Sequence, residues 1–244
     1  MTPRRVVVTR PQHSGERTVR RLTEMGHEPL PLPLSEPVHD VDAARQALSE
    51  TQGAIAVTSA EAIRTLAALG QNIAPHLGRP LFAVGKATAK EARILGFTHV
   101  LTSEGSGIEL AELIAHNRAG MQQPLLYLAG SPRAAGFETR SMELNIPLRT
   151  VECYHMLDIA PDDATLRKFF IDTPANAVLL YSRQTALRFF SLPFLRQQPD
   201  ALAPTRFLCL SEAIADAVPA LLRAQSDIAA MPDEDSLLAL LTTE

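Results

Sequence analysis

Hydroxyl side chains recur where a short apolar run passes into a helical pattern. The segment "AIAVTSAEAIRTLAALG", residues 54–70, makes this change at Thr58 and Ser59, and "AVLLYSRQTALRFFSLP", residues 177–193, makes it at Ser182. The first turn of a helix carries unpaired backbone N–H groups and a partial positive charge. Turns of this kind bind carboxylates and phosphates. The pattern therefore indicates that the protein recognises an anionic group.

Similar turns follow most of the other predicted strands. In open parallel sheets, ligands bind at the carboxyl ends of the strands. These turns are therefore predicted to face one cleft and to hold a ligand with many negative groups. The residues predicted in this way to bind substrate are Thr9, Arg10, Ser59, Lys86, Gly130, Ser182 and Ser211. The alternative for each hydroxyl is helix capping alone. The alternative for Arg10 and Lys86 is an exposed charge at the start of a helix.

Tyr154 lies in the extended run "PLRTVECYHML", between Cys153 and His155. A phenol with its ordinary pKa near 10 is a neutral hydrogen-bond donor at pH 7. Such a group can donate to a leaving hydroxyl and assist its departure as water. The alternative is a packed tyrosine with a structural role.

The elements that must position these residues follow a strand–helix alternation. Apolar runs of four or five residues alternate with segments of helical period, which is typical of βα units around a parallel sheet. The order of elements from Ala54 to Ile114 recurs from Ala177 to Leu241, including a helix predicted at Glu212–Leu222. The acidic run "PDEDS" is expected to cap the last helix. The fold class predicted is α/β, with two similar, flavodoxin-like parallel-sheet lobes joined by a two-stranded hinge.

The repeat also predicts how the chain is divided. The second copy begins near residue 177, so its sheet needs strands from the N-terminal segment. We therefore expect a discontinuous lobe of residues 1–34 and 157–244, an inserted lobe of residues 38–153, and a hinge at 35–37 and 154–156. Pro29, Pro31 and Pro33 predict that the strand they occupy is an edge strand, because proline cannot donate to a neighbouring strand.

Composition excludes several classes of function. The 244 residues carry a formal charge of −4 and 5% aromatic residues without tryptophan, which argues against a nucleic-acid binder. The two cysteines form no CxxC pair and no glycine-rich nucleotide motif occurs, so neither a metal nor a cofactor is expected. The apolar runs are too short for a signal peptide or a membrane span, which favours a cytoplasmic protein. A monomer is expected because no amphipathic surface is left over.

Several segments together resemble the uroporphyrinogen-III synthase family over nearly the whole chain. They are "VVVTRP", "GHEPLPLPLSEP", "VTSAEAIRTL", "FAVGKATAKEARILGF", "LYLAGSPR", "VECYHM", "LLYSRQTALRF" and "DSLLALL". The resemblance implies a cofactor-free lyase. Such an enzyme cyclises the linear tetrapyrrole hydroxymethylbilane, with loss of water and inversion of the last pyrrole ring, in haem biosynthesis.

The resemblance also implies roles for particular residues. The hinge tyrosine of the family falls on Tyr154 as the candidate acid, and the threonine of the "VGxxTA" segment falls on Thr88 as a substrate-binding residue. The chain departs from the family at "CLSEAIAD", where Ala213 and Ile214 stand in place of threonine and Ser211 is the remaining hydroxyl. Two alternatives stay open: a non-catalytic bilobal protein that binds a small polyanion, and a regulatory domain derived from the enzyme.

Overall fold

The computed structural model describes residues 2–103, 105–117 and 123–242. The chain divides into two compact units, one formed by Met1–Glu36 with Leu157–Glu244 and the other by Pro37–Met156. We call them the discontinuous unit and the inserted unit. The sequence alone places the two chain passages at 35–37 and 154–156, and the role of these residues as a hinge stays a prediction.

The central strands of the discontinuous unit are short, buried and rich in valine and leucine, such as the run Val6, Val7 and Val8. The strands of this sheet are β1 (Arg5–Val8), β2 (Glu28–Pro31), β9 (Ala177–Leu180), β10 (Arg206–Cys209) and β11 (Ser226–Ile228). They pair in parallel in the order β11-β10-β9-β1-β2. Read from the other end, this is the flavodoxin-like order. The proline-rich β2 lies at the edge, as predicted.

Helices of the discontinuous unit follow the strands closely. They are α1 (Gln12–Glu24), α7 (Asp163–Arg167), α8 (Arg183–Ser191), α9 (Pro193–Gln197), α10 (Glu212–Ala215) and α11 (Glu234–Ala239), with a π-helical turn at Lys168–Asp172 and 3₁₀ turns at Pro199–Leu202 and Ala220–Gln225. The single helix predicted at Glu212–Leu222 is wrong. The α-helix ends at Ala215, and Pro219, which has no N–H for a helical hydrogen bond, precedes the 3₁₀ turn.

The sheet of the inserted unit has a similar spatial order of strands, but the chain begins at a different strand of that order. Its members are β3 (Ser35–His39), β4 (Ile55–Val57), β5 (Leu81–Val84), β6 (Val100–Ser103), β7 (Leu125–Ser131) and β8 (Leu148–Asp158). The order is β3-β8-β7-β4-β5-β6. The consecutive strands β4, β5 and β6 run outward from the middle, as β9, β10 and β11 do in the other sheet. This shared strand order corresponds to the repeat of elements found in the sequence.

Helices also cover the sheet of the inserted unit. They are α2 (Val41–Ser49), α3 (Ala60–Ala67), α4 (Lys86–Leu95), α5 (Gly107–Asn117) and α6 (Gly136–Glu143), with a 3₁₀ segment at Gly70–His76. Gly96 ends α4 with a left-handed φ of 112°, a conformation that glycine adopts without steric cost.

Each sheet has an apolar core on both faces, as expected of a parallel sheet covered by helices on either side. In β1, Val7 packs into one cluster while Val6 and Val8 pack into another. In β4, Ile55 and Val57 pack into one cluster and Ala56 into the opposite one. The predicted α/β class with parallel sheets is confirmed. Within the described residues, each helix is too short or too polar to span a bilayer.

Candidate active site

The predicted binding residues lie at the carboxyl edge of each sheet, each unit considered by itself. In the discontinuous unit, Thr9, Ser182 and Ser211 follow the adjacent strands β1, β9 and β10. In the inserted unit, Ser59 and Lys86 follow β4 and β5, and Gly130 lies near the end of β7. Because these strands are parallel neighbours, the residues of each set share one edge.

A shift in strand pairing determines where Tyr154 lies in the inserted unit. Ala129 pairs with Glu152, but Gly130 pairs with Tyr154, so Cys153 is an extra residue of the kind found in a β-bulge. Regular alternation would send Cys153 and Tyr154 to opposite faces. With the extra residue, both are buried in the same apolar cluster.

The Tyr154 ring packs directly on Gly130. A Cβ added at residue 130 would overlap the ring carbon Cζ and the hydroxyl oxygen of Tyr154. Glycine is required here for clearance, because any side chain would displace the phenol. The structure therefore gives Gly130, predicted as a substrate contact, a clear part in accommodating Tyr154.

The Tyr154 phenol is 8% exposed and neutral at physiological pH. Burial raises its pKa, and a hydrogen bond with the Ser59 hydroxyl offsets part of that rise. The Ser59 hydroxyl also caps α3, accepting a hydrogen bond from the N–H of Glu61 at 3.2 Å. Beside Ser59, the hydroxyls of Thr58 and Tyr127 lie 2.9 Å apart. The part of the edge around Tyr154 and Ser59 thus presents neutral hydroxyl groups.

The remaining predicted residues of the inserted unit lie at the start of α4. Lys86 is its first residue and follows Gly85, whose φ of 77° is in the region that favours glycine. Thr88 is 6% exposed and lies in the first turn. Their contact with substrate stays a prediction.

The three hydroxyls of the discontinuous unit differ in their partners. Thr9 is buried, and its hydroxyl donates to the carbonyl of Leu179 at 2.8 Å, which ties β1 to β9. Ser182 caps α8 by accepting from the N–H of Thr185 at 3.1 Å. Ser211 precedes α10 and makes no side-chain capping bond. The capping alternative therefore describes Ser182 well and Ser211 poorly.

Arg10 is held by a carboxylate that the sequence reasoning missed. Its Nη1 donates to Oε1 of Glu234 at 3.0 Å, and its guanidinium carbon lies 4.3 Å from the centroid of the Tyr181 ring. Within "PDEDS", Asp233 is the residue that caps α11, accepting from the N–H of Ser236 at 2.8 Å. Glu234, next to it, turns inward. The sequence gives no signal of this ion pair, because Arg10 and Glu234 are 224 residues apart along the chain.

Two further groups bear on the chemistry available. Burial raises the pKa of the Cys153 and Cys209 thiols to about 12, so neither is a thiolate nucleophile at neutral pH. Among the described residues, no group of three histidine, cysteine, aspartate or glutamate side chains is arranged to hold a metal ion.

Comparison with known proteins identifies the family. The family model described as uroporphyrinogen-III synthase HemD matches residues 16–239. The chain belongs to the uroporphyrinogen-III synthase family. The resemblance inferred from the sequence segments is therefore confirmed, and with it an enzymatic activity of the synthase class. A search of curated proteins finds no match.

Solved structures of family members show the same fold. Uroporphyrinogen-III synthetase from Helicobacter pylori 26695 is 16% identical with a TM-score of 0.66, and the match covers 98% of each chain. A mutant uroporphyrinogen III synthase from the extremely thermophilic bacterium Thermus thermophilus is 17% identical with a TM-score of 0.55, covering 98% of this chain and 97% of the other. Identities this low support the fold alone.

Proposed function

We propose that this protein converts hydroxymethylbilane into uroporphyrinogen III with the Tyr154 phenol as the proton donor to the leaving hydroxyl. The observation that carries the proposal is the family match over residues 16–239, on a chain that places a buried, neutral phenol against Gly130, near the carboxyl end of β7. A proton donor for this step must be protonated at neutral pH, and the raised pKa of Tyr154 meets that condition.

The proposed reaction balances without any added oxidant, reductant or cofactor. The hydroxymethyl C–O bond breaks, the oxygen takes the phenolic proton and leaves as water, and an azafulvene cation remains. The substituted carbon of the last pyrrole ring attacks this cation to give a spiro intermediate. The intermediate fragments and closes again with that ring turned over, and the proton lost as the pyrrole regains aromaticity replaces the one that Tyr154 gave up.

Binding of the substrate is proposed to rest on the strand-to-helix turns. Hydroxymethylbilane carries eight carboxylates as the family resemblance implies. Turns opened by Ser59, Lys86 and Ser182 present backbone N–H groups at helix starts, which favour carboxylates. A protein with a formal charge of −4 can bind such a polyanion, because the match is local. Most of the catalytic effect is then orientation of a folded chain.

The deciding experiment is the isomer distribution of the product. Freshly prepared hydroxymethylbilane closes spontaneously to the unrotated isomer I. With the purified protein, we expect isomer III to dominate after oxidation and chromatographic separation of the porphyrins. Heat-denatured protein is the control. Isomer I at the spontaneous rate, with or without binding of the substrate, would overturn the proposal and favour the binding-protein or regulatory alternatives.

We further propose that the enzyme is monomeric, cytoplasmic and free of cofactors. The monomer is proposed because the sequence leaves over no amphipathic surface. The short apolar runs and the two free cysteines support the cytoplasm, and the balanced chemistry supports the lack of a cofactor. Activity that survives dialysis against a chelator, sedimentation as a single species of 26.5 kDa, and recovery in the cytoplasmic fraction are the expected results.

A further inference from the structure

One carboxylate in the discontinuous unit collects four side-chain donors. The Glu234 side chain is 14% exposed. Its Oε1 accepts from Arg10 at 3.0 Å, from the Thr18 hydroxyl at 2.6 Å and from the Tyr181 hydroxyl at 2.8 Å. Its Oε2 accepts from Arg21 at 3.1 Å. These partners come from the β1–α1 turn, from α1 and from the turn after β9, so Glu234 joins three elements at one edge of the sheet.

Arg10 is fixed from two sides by this arrangement. It directly follows Thr9 at the end of β1, where the sequence predicts contact with an anionic substrate. The Tyr181 ring lies against its guanidinium at 4.3 Å, and Glu234 binds Nη1. Glu234 also accepts the Tyr181 hydroxyl, so one carboxylate holds both the cation and the ring beneath it. A side chain held in this way loses less rotamer entropy when it meets a ligand.

The ion pair with Glu234 engages only part of the Arg10 guanidinium. A guanidinium has five N–H donors in a rigid fork, and the bond to Glu234 engages one of them. Burial raises the pKa of Glu234, but the hydrogen bonds from Thr18 and Tyr181 and the charge of Arg10 outweigh it, so the pKa lies below its ordinary value. Glu234 is therefore ionised at the pH where the enzyme works.

We propose that Glu234 is a positioning residue that holds the Arg10 guanidinium, stacked on Tyr181, in the orientation that binds a substrate carboxylate. This inference rests on the proposed function, and it assigns a role to a residue with no predicted contact with substrate. A positioning residue of this kind strengthens binding and leaves the chemical step unchanged.

The test is the kinetic behaviour of Glu234→Gln with hydroxymethylbilane as substrate. Glutamine keeps the shape and removes the charge, so we expect KM to rise about tenfold with kcat within about threefold of the unsubstituted enzyme. Asp235→Asn is the matched control. It removes the same charge one residue away, where the carboxylate pairs with Arg21 instead of Arg10, and KM should stay within about twofold.

A double substitution separates positioning from general loss of structure. If Glu234 acts through Arg10, then Glu234→Gln added to Arg10→Ala raises KM no further than Arg10→Ala alone. Additive increases in KM would overturn the inference. Tyr181→Phe, which removes one donor to Glu234 and keeps the ring, should raise KM about twofold to threefold. This milder variant keeps the test valid if Glu234→Gln folds poorly.

A second readout uses the free protein. The ¹⁵Nη–Hη NMR signals of Arg10, assigned with Arg10→Lys, should be slow to exchange with water in the unsubstituted protein and fast in Glu234→Gln, because Nη1 makes the bond to Glu234. Equal exchange in both overturns the positioning role. Turnover with an unchanged KM in Glu234→Gln overturns this role alone, whereas absence of turnover in the unsubstituted protein overturns the proposed function itself.

Discussion

The carboxyl edges of the two sheets share a strand order and differ in their side-chain chemistry. At the edge of the discontinuous unit, Arg10 and Arg21 meet the buried carboxylate of Glu234. At the edge of the inserted unit, the neutral hydroxyls of Tyr154 and Ser59 lie next to each other above a glycine. The repeated strand order therefore places backbone donors at both edges, with different side chains around them.

The difference suits two tasks that one kind of edge would perform poorly. A guanidinium fixed by a carboxylate binds anions but has no proton to give at neutral pH. A buried phenol keeps its proton and carries no charge, so it is suited to donate to a leaving group. We call the part of the first edge that holds Arg10, Arg21 and Glu234 the charged edge. We call the part of the second edge that holds Tyr154, Ser59 and Gly130 the neutral edge, and Lys86 lies farther along that second edge. Each substitution described next alters one of the two sheet edges.

The largest effect is expected from Gly130→Ala, which alters the neutral edge. The added methyl group overlaps the Tyr154 ring, so the phenol must move or the strand must shift. We expect the free energy of unfolding to fall by about 2 kcal/mol, as in other overpacked sites. The rate of isomer III formation should fall by up to about a hundredfold, because misplacement of a catalytic group is costly.

The control for this effect combines Gly130→Ala with Tyr154→Ala. Removing the ring relieves the overlap, so Gly130→Ala should lower the melting temperature much less in the Tyr154→Ala background than in the unsubstituted protein, while activity stays low in both Tyr154→Ala variants. A Gly130→Ala protein as stable and active as the unsubstituted one would show that the ring does not occupy this position.

Tyr154→Phe tests the neutral edge without changing its packing. Loss of the hydroxyl should lower kcat by about a hundredfold, the lower end of what a general acid contributes, and leave KM nearly unchanged. Steady-state kinetics with analysis of product isomers measures both quantities. Tyr127→Phe removes another buried phenol of the same sheet and serves as the comparison. An unchanged kcat would remove Tyr154 from the mechanism.

Glu234→Gln tests the charged edge through the pH dependence of stability. The pKa of Glu234 is lowered in the folded protein, so its contribution is complete above the unfolded-state pKa near 4.3 and is lost as the pH falls through the folded-state pKa. The unsubstituted protein should exceed the variant by about 2 kcal/mol in free energy of unfolding at pH 7. This difference should shrink below about pH 4. Urea titrations at several pH values measure it, and a difference independent of pH would contradict the assignment.

The smallest effects are expected at helix starts along the edge of the discontinuous unit. Ser182→Ala removes a capping bond and should lower the free energy of unfolding by about 1 kcal/mol. Ser211→Ala removes no capping bond and should change stability by less than about 0.5 kcal/mol. A rise in KM for Ser211→Ala without loss of stability would assign its hydroxyl to the substrate. Equal losses of stability in both variants would contradict the structure.

The sequence predicts the elements well wherever local patterns determine them. Short apolar runs indicate the strands, and the repeat indicates that β4, β5 and β6 match β9, β10 and β11. The helix at Glu212–Leu222 is the clearest failure. Its apolar period continues through Pro219. A proline inside a helical pattern indicates that the helix ends before it, and apolar periodicity alone ignores this signal.

Long-range contacts are the part that the sequence does not reveal. Glu234 meets Arg10 and Tyr181 only because α11 returns to the sheet, and no local rule connects these positions. The contact between Gly130 and Tyr154 depends likewise on the pairing of β7 with β8. Sequence reasoning identified Arg10, Gly130 and Tyr154 as residues of interest, but their partners required the structure.

The extra residue at Cys153 determines which residue of β8 lies opposite Gly130, and with it the face of the sheet on which the Tyr154 phenol lies. Substitutions at residue 153 change what fills the apolar cluster and leave the register intact. Deleting that single residue would let β8 pair evenly with β7 and would keep Tyr154 opposite Gly130, on the same side of the sheet as Ser59. If β8 kept Cys153 and still paired evenly, Cys153 would take the place opposite Gly130 and the Tyr154 ring would lie on the other side of the sheet. The bulge therefore lets the strand carry one residue more than its pairing needs without moving the phenol.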